Sequence, residues 1–346
     1  MPGPLFCVLP YGGRAMKILI VSGFLGAGKT TFIQTMTRAL DRRFVVFENE
    51  YGQANLDADA LRGDTALDVW ELTENCACCT GKSDFVATVL TIANTLDPEY
   101  LIVEPTGVAR LSSLLAALRR IEYERITLLS PLTVLDAQHH ARQREQFPEI
   151  YNDQLSAAGT VAFSKAQALS AAEKEALCRE VRACNPNAAI LTEDCAAQPA
   201  AWWESLLATA LDPGAFVPGQ DASGPPPETI SFQDCSLPSP THLIAFLDVA
   251  AAGVFGQVAR AKGYLPCGGD WLRFDLVDRA WSITGCAPQQ KAQCVVIGRA
   301  LYREGLHEIF PPPLSLHAPT VRRGRAAGLP RALPGSRAGR TDARKG

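Results

Sequence analysis

Several things are scarce in these 346 residues, and each scarcity removes a class of function. No run of 18 uninterrupted apolar residues occurs, so no membrane-spanning helix is expected. The opening "MPGPLFCVLPYGGRA" lacks a charged n-region and a proper apolar h-region, which makes it a poor secretory signal. Residues 1–15 are expected to be disordered or a mis-assigned start, because Met16 stands directly before a strand-like run. No His-rich stretch forms, and the adjacent His139 and His140 read as structural or exposed. Net charge is also small, at −3, and unevenly spread. Between Pro319 and Gly346, seven arginines and Lys345 face Asp342 alone, a local balance of +7, so the rest of the chain is near −10. Such a body argues against nucleic-acid binding.

What is present is an ordinary globular composition, 47% hydrophobic and 20% charged, in a chain long enough for two cores. Eleven cysteines in a long chain with a poor signal point to a reducing, cytoplasmic setting, where clustered thiols mean metal or redox chemistry more often than disulfides. Three of them crowd into "NCACCTGK" at 75–82.

The first two-thirds alternates short β-branched runs with helical patterns. Strands are expected at "KILIVS" (17–22), "RFVVFE" (43–48), "YLIVEPT" (100–106), "ITLLSPLTVLD" (126–136) and "GTVAFSK" (159–165). Between and after them, helices are expected at 30–40, 83–96, 109–118, 170–184 and 199–210. Strands that are apolar without alternation and separated by helices predict an α/β domain, residues 16–211, with a largely parallel sheet flanked by helices. The Pro- and Gly-rich 212–228 reads as a linker. A smaller α+β domain is expected over 229–310, with strands at 229–233, 243–248, 271–276, 280–284 and 293–297 and a helix around 251–261. Residues 311–346 hold too few apolar side chains to fold and read as a disordered basic tail.

"GFLGAGKTT" (23–31) matches the G-x-x-x-x-G-K-[ST] pattern through Gly23, Gly28, Lys29 and Thr30. Set between a predicted strand and helix, its small residues, Gly26 and Ala27 included, let backbone N–H groups wrap phosphates at a helix N-terminus. Lys29 is expected to reach the β and γ phosphates, and the Thr30 hydroxyl, beside Thr31, to ligate Mg²⁺. A Gly-rich turn without a ligand would not call for a lysine there. "LIVEPTG" (101–107) supplies a strand ending in Glu104, a carboxylate able to hold Mg²⁺ or polarise water, and Gly107 can let a loop follow the γ-phosphate.

Cys76, Cys78 and Cys79 precede a predicted helix, and a thiolate near a helix N-terminus has a lowered pKa. Such thiolates can converge on one soft or borderline cation with a further ligand from elsewhere. A pair of buried structural cysteines with one bystander is the alternative. "FENEYGQANLD" (47–57) offers Glu48, Glu50 and Asp57 where a nucleotide switch would sense the γ-phosphate.

Taken in order, "GFLGAGKTT", "ENEYG" with Asp57, the C-x-C-C of "NCACC" and "EPTG" resemble the CobW-type metallochaperone GTPases, relatives of HypB and UreG. "GQVARAKGYL" (256–265) and "VVIGRALYREGL" (295–306) look like that family's C-terminal domain. The resemblance covers roughly 16–310. It implies GTP hydrolysis, with Lys29, Glu104 and Glu48 in the chemistry, coupled to delivery of zinc, cobalt or another transition metal held by Cys76, Cys78, Cys79 and Glu50. The family's guanine-reading N-K-x-D stands here as Ser164, Lys165, Ala166 and Gln167, so the neutral Gln167 predicts weaker discrimination against ATP. Gln53 replaces a Glu that many members carry. The implied partners are a client metalloprotein or a corrinoid-related enzyme, with a homodimer as a further arrangement and neither membrane nor nucleic acid. The alternative function is a nucleotide-dependent docking or activation factor whose cysteines are structural.

Overall fold

A computed structural model describes residues 15–49, 67–71, 82–123, 125–212, 227–277 and 279–310. Eight parallel strands build the first sheet: β1 (Met16–Gly23), β2 (Phe44–Asn49), β3 (Leu67–Glu71), β4 (Tyr100–Pro105), β5 (Ile126–Leu128), β6 (Leu132–Asp136), β7 (Thr160–Ser164) and β8 (Ala189–Leu191). Their order is β3-β2-β4-β1-β6-β7-β8, with β5 also beside β1. Between them run α1 (Lys29–Ala39), α2 (Lys82–Thr95), α3 (Leu111–Leu118), α4 (His140–Gln146), α5 (Pro148–Ser156), α6 (Ala171–Cys184) and α7 (Ala200–Ala208).

The strands are apolar on both sides because both faces are covered. Leu19, Val21, Val46 and Ile102 pack with Phe32, Ile33 and Met36 of α1 and Trp203 of α7. On the opposite face Ile18, Ile20, Phe47 and Val103 pack with Val89 and Ile92 of α2 and Leu111, Leu115 and Leu118 of α3. The single strand expected over 126–136 is two. Pro131 has no N–H to give a ladder, and its carbonyl accepts instead from Gly159 and Thr160.

The second sheet is antiparallel, in the order β12-β11-β10-β13-β9. Its strands are β9 (Glu228–Gln233), β10 (Gln257–Cys267), β11 (Asp270–Val277), β12 (Ala280–Gly285) and β13 (Gln293–Arg299), with α8 (Pro240–Ala251) and α9 (Arg303–Ile309). Two expectations exchange places here. Residues 243–248 lie in a helix, since Leu243, Phe246, Leu247 and Ala250 are all buried on one stripe. The expected helix at 251–261 overlaps β10, whose central position buries both faces and hides the period of two.

One face of the second sheet packs on α8 and α9 through Ala261, Leu265, Phe274 and Val296. The other packs on loops of the first sheet and the start of α5, where Ala259, Val295 and Ile297 meet Phe24, Leu25, Val108, Phe147 and Ile150. Arg299 of β13 is ion-paired to Glu149 and lies over the ring of Phe147, 5.1 Å from its centroid. Among the described residues no helix is long and apolar enough to cross a membrane.

Candidate functional site: a phosphate cavity at the carboxyl edge of the sheet

β1, β2, β4 and β7 all end on one edge of the parallel sheet, the edge where open α/β sheets hold ligands. β1 runs into Gly23, and the loop 24–28 leads into α1 with Gly28 in the left-handed region at φ +94°. The first-turn N–H groups of α1 thus open towards this edge with their positive end.

A cavity of about 290 Å³ forms there. Gly26, Gly28, Lys29, Thr30 and Thr31 line one side of it, and Glu48, Glu104 and Gly107 line the other. The Thr30 hydroxyl donates to Glu104 Oε1 at 2.8 Å. Buried Lys29 donates from Nζ to the Phe24 carbonyl at 3.3 Å, across the mouth of its own loop. In the β2–β4 register Glu48 stands beside Glu104, so two carboxylates share the cavity wall. Gly107 is required: a Cβ there would lie 2.3 Å from the Leu25 backbone nitrogen, so the loop after Glu104 rests directly on the phosphate loop. Buried Gln154 of α5 fixes that loop by donating to the Gly107 and Ala109 carbonyls, both at 3.1 Å. The buried Thr106 hydroxyl, also on the cavity wall, has no hydrogen-bond partner among the described residues.

A second cavity, of about 380 Å³, adjoins the first on the far side of Gly28 and Thr31. Ala27, Ser164, Lys165 and Gln167 line it, together with Asp194. Lys165, at φ +54°, spans the two loops: Nζ donates to Asp136 Oδ2 at 2.6 Å and to the Gly26 carbonyl at 3.0 Å. Burial raises the Asp136 pKa, but Lys165 and His139 outweigh it and hold the carboxyl below its ordinary value. Gln167 Nε2 donates to Asp194 Oδ2 at 3.1 Å. Asp194 itself caps the following turn by accepting from Ala196 N at 2.9 Å.

All the expected phosphate and base residues therefore meet at one edge. Glu50, Cys76, Cys78 and Cys79 lie outside the described residues, as do Gln53 and Asp57. Among the described residues no group of three or more His, Cys, Asp or Glu side chains could hold a metal. Sequence reasoning missed Asp136, Gln154, Asp194 and Arg260. Each enters the site from a segment remote in sequence; Asp136 ended a stretch read only as a strand, "ITLLSPLTVLD", and Arg260 fell inside "GQVARAKGYL".

A parallel sheet with a glycine-rich loop feeding a helix, a lysine and threonine at that turn and a carboxylate on the neighbouring strand define a P-loop nucleotide-binding protein. The family model for the CobW/HypB/UreG nucleotide-binding domain matches residues 17–192, just over half of the sequence, and the chain belongs to that family. It is 32% identical over 196 residues to the zinc chaperone CobW of Pseudomonas aeruginosa, covering 47% of this chain and 52% of that one. It is 29% identical over 191 residues to the zinc chaperone CobW of a Sinorhizobium species, covering 47% and 54%. The chain spans about half the length of the curated relatives it matches. Among solved structures it is similar to the Zn(II)-bound YjiA GTPase from E. coli, at 17% identity and a TM-score of 0.40, over 86% of this chain and 98% of that one.

Proposed function

We propose that this protein is a GTP-hydrolysing metallochaperone that takes up a transition metal at Cys76, Cys78 and Cys79 and passes it to a client protein in the cytoplasm. Residues 16–211 act as the nucleotide domain and 229–310 as the second domain. The observation that carries the nucleotide half is the Thr30–Glu104 contact inside the cavity that Lys29 also lines. Those two side chains offer hard oxygen ligands, which suits Mg²⁺. Bound there, Mg²⁺ would neutralise charge developing on the β and γ phosphates. Lys29 holds the phosphates, and Glu48 orients the attacking water. On the base side, Asp194 can only accept, so it turns the Gln167 amide nitrogen towards itself and leaves the amide oxygen for the donors of guanine.

The metal half is supported by thiol chemistry and by the zinc chaperones named above. Seven cysteines are described, all free, and burial raises the pKa of every one, to about 11 at Cys235 and Cys267. None of these seven belongs to a group of three or more His, Cys, Asp or Glu side chains that could hold a metal among the described residues. Besides Cys7, that leaves the three neighbours in "NCACC". The stretch carrying them is anchored at Glu71, which ends β3, and at Lys82, which begins α2. Glu71 stands in register with Glu48, whose neighbour on the other side is Glu104, at the carboxyl edge of the sheet.

Titrating Zn²⁺ against apo, GDP-bound and non-hydrolysable-GTP-bound protein tests this reading. The expected result is about one ion per chain held by thiolates, lost in Cys78→Ser, with affinity that changes with nucleotide by about 1–3 kcal/mol. Linkage requires zinc to change GTP affinity by the same factor. Identical zinc affinities in all three states would leave the cysteines as structure and favour the docking-factor alternative.

A further inference from the structure

One wall of the phosphate cavity comes from outside the nucleotide domain. Arg260, on β10 of the second sheet, lines the same cavity as Lys29, Thr30, Glu48 and Glu104. Its burial is nearly complete, at 8% exposure. A backbone irregularity aims it there. The β10–β13 register shifts between Val258 and Arg260, so the strand carries one extra residue, Ala259. Val258 and Ala261 both point into the second domain's own core, three residues apart, which an unbroken strand cannot do. In a regular strand Arg260 would share the face of Val258 and enter that apolar core. The bulge turns it the other way, towards the phosphate loop.

Asp275 then holds the guanidinium side-on. Arg260 Nε donates to Asp275 Oδ1 at 3.1 Å and Nη2 to Oδ2 at 2.9 Å, a fork that sets the plane of the group. The strand carrying Asp275 continues to Val277, which packs over Gly26: a Cβ on Gly26 would lie 2.6 Å from Val277 Cγ1. Arginine and phosphate loop are thus fixed to the same pair of strands. The guanidinium stays charged at any working pH, and its fork matches phosphate oxygens.

We propose that Arg260 is an arginine finger supplied in cis: it contacts the terminal phosphate of a nucleotide held by the P-loop and stabilises the charge of the transferring phosphoryl group. The inference rests on the nucleotide-hydrolase reading above. In the step it serves, a water oxygen bonds to the γ-phosphorus while the bond from that phosphorus to the β–γ bridging oxygen breaks. The products are GDP, inorganic phosphate and a proton. The second domain then completes the reaction site and reads the third phosphate directly.

The experiment compares full-length wild type, Arg260→Ala and Arg260→Lys. Affinities for GDP and for a non-hydrolysable GTP analogue are measured by calorimetry, and GTP cleavage by single-turnover kinetics with Mg²⁺. Arg260→Ala is expected to hold GDP as wild type does, to lose about tenfold in affinity for the triphosphate analogue, and to cleave GTP roughly 10- to 100-fold more slowly, the gap between GTPases with and without an arginine in cis. Arg260→Lys should recover affinity better than rate, because a point charge lacks the planar fork. Equal loss of GDP and triphosphate in both variants, through unfolding or otherwise, would make Arg260 a brace for Asp275 and overturn the proposal. Unchanged triphosphate preference would overturn it as well. If wild type itself does not cleave GTP, the hydrolase reading fails, and the comparison of diphosphate with triphosphate still judges Arg260.

Discussion

Gln167 shows how much one side chain's neighbour decides. The family's base-reading carboxylate is absent at this position, yet a carboxylate stands next to it, since Gln167 Nε2 donates to Asp194. Gln167→Asp alone would place two carboxylates at hydrogen-bond range, where one of them must take up a proton or swing away. Little gain in guanine selectivity is expected from that single change. Removing the second charge as well, in Gln167→Asp with Asp194→Asn, should raise the preference for GTP over ATP roughly 10- to 100-fold, the worth of one added charge-assisted hydrogen bond of ~1.5–3 kcal/mol. Competition of ATP against a fluorescent GTP analogue checks both. A single variant as selective as the double would mean that Asp194 does not govern Gln167.

At the level of elements, β1, its loop, α1 and β4 were legible because their signals are local. "GFLGAGKTT" fixes a strand-to-helix turn by itself, and the apolar runs beside it are too short for helices. The second sheet was harder. "THLIAFLDVAA" reads as an apolar β run, but its buried residues fall at 243, 246, 247 and 250, and Ser239-Pro240 is a helix-start signal. Leu243 and Leu247 sit fully buried at the centre of that helix's contact with the sheet. Leu247→Ala should therefore cost about 2–5 kcal/mol, by lost transfer energy and the cavity left behind, measured by urea unfolding. A helix on the surface would lose far less. No sequence pattern could have announced Arg260. Its direction depends on a one-residue bulge, and its destination depends on the packing of two sheets whose strands lie far apart in the chain.

On the scale of the whole molecule, the two sheets share an apolar contact built from Phe24, Leu25, Val108, Phe147 and Ile150 on one side and Ala259, Val295 and Ile297 on the other. Two of those residues belong to the phosphate loop itself. A chain ended near residue 212 would present this surface to water, and a contiguous apolar patch of that kind promotes association. Such a fragment is expected to bind more of a hydrophobic dye than the full chain and to sediment as larger species. Ile297→Lys in the full chain should show the same trend more weakly, because it buries a charge at the contact. A fragment that is monomeric and binds nucleotide as the full chain does would show that the phosphate loop needs no cover.

The covering of Phe24 and Leu25 by β10 and β13 also sets an order in time. A ribosome emits the phosphate loop first, and the strands that close over it begin only at Gln257 and Gln293. At roughly 5 to 20 residues per second, the nascent chain waits on the order of 10 to 50 s between the two. Through that interval the loop's apolar side chains are bare and the wall that Arg260 forms does not yet exist. An unfinished chain would therefore meet the cell's nucleotide pool with an incomplete pocket, and competence to respond to GTP would arrive only once β10 and β13 have been made.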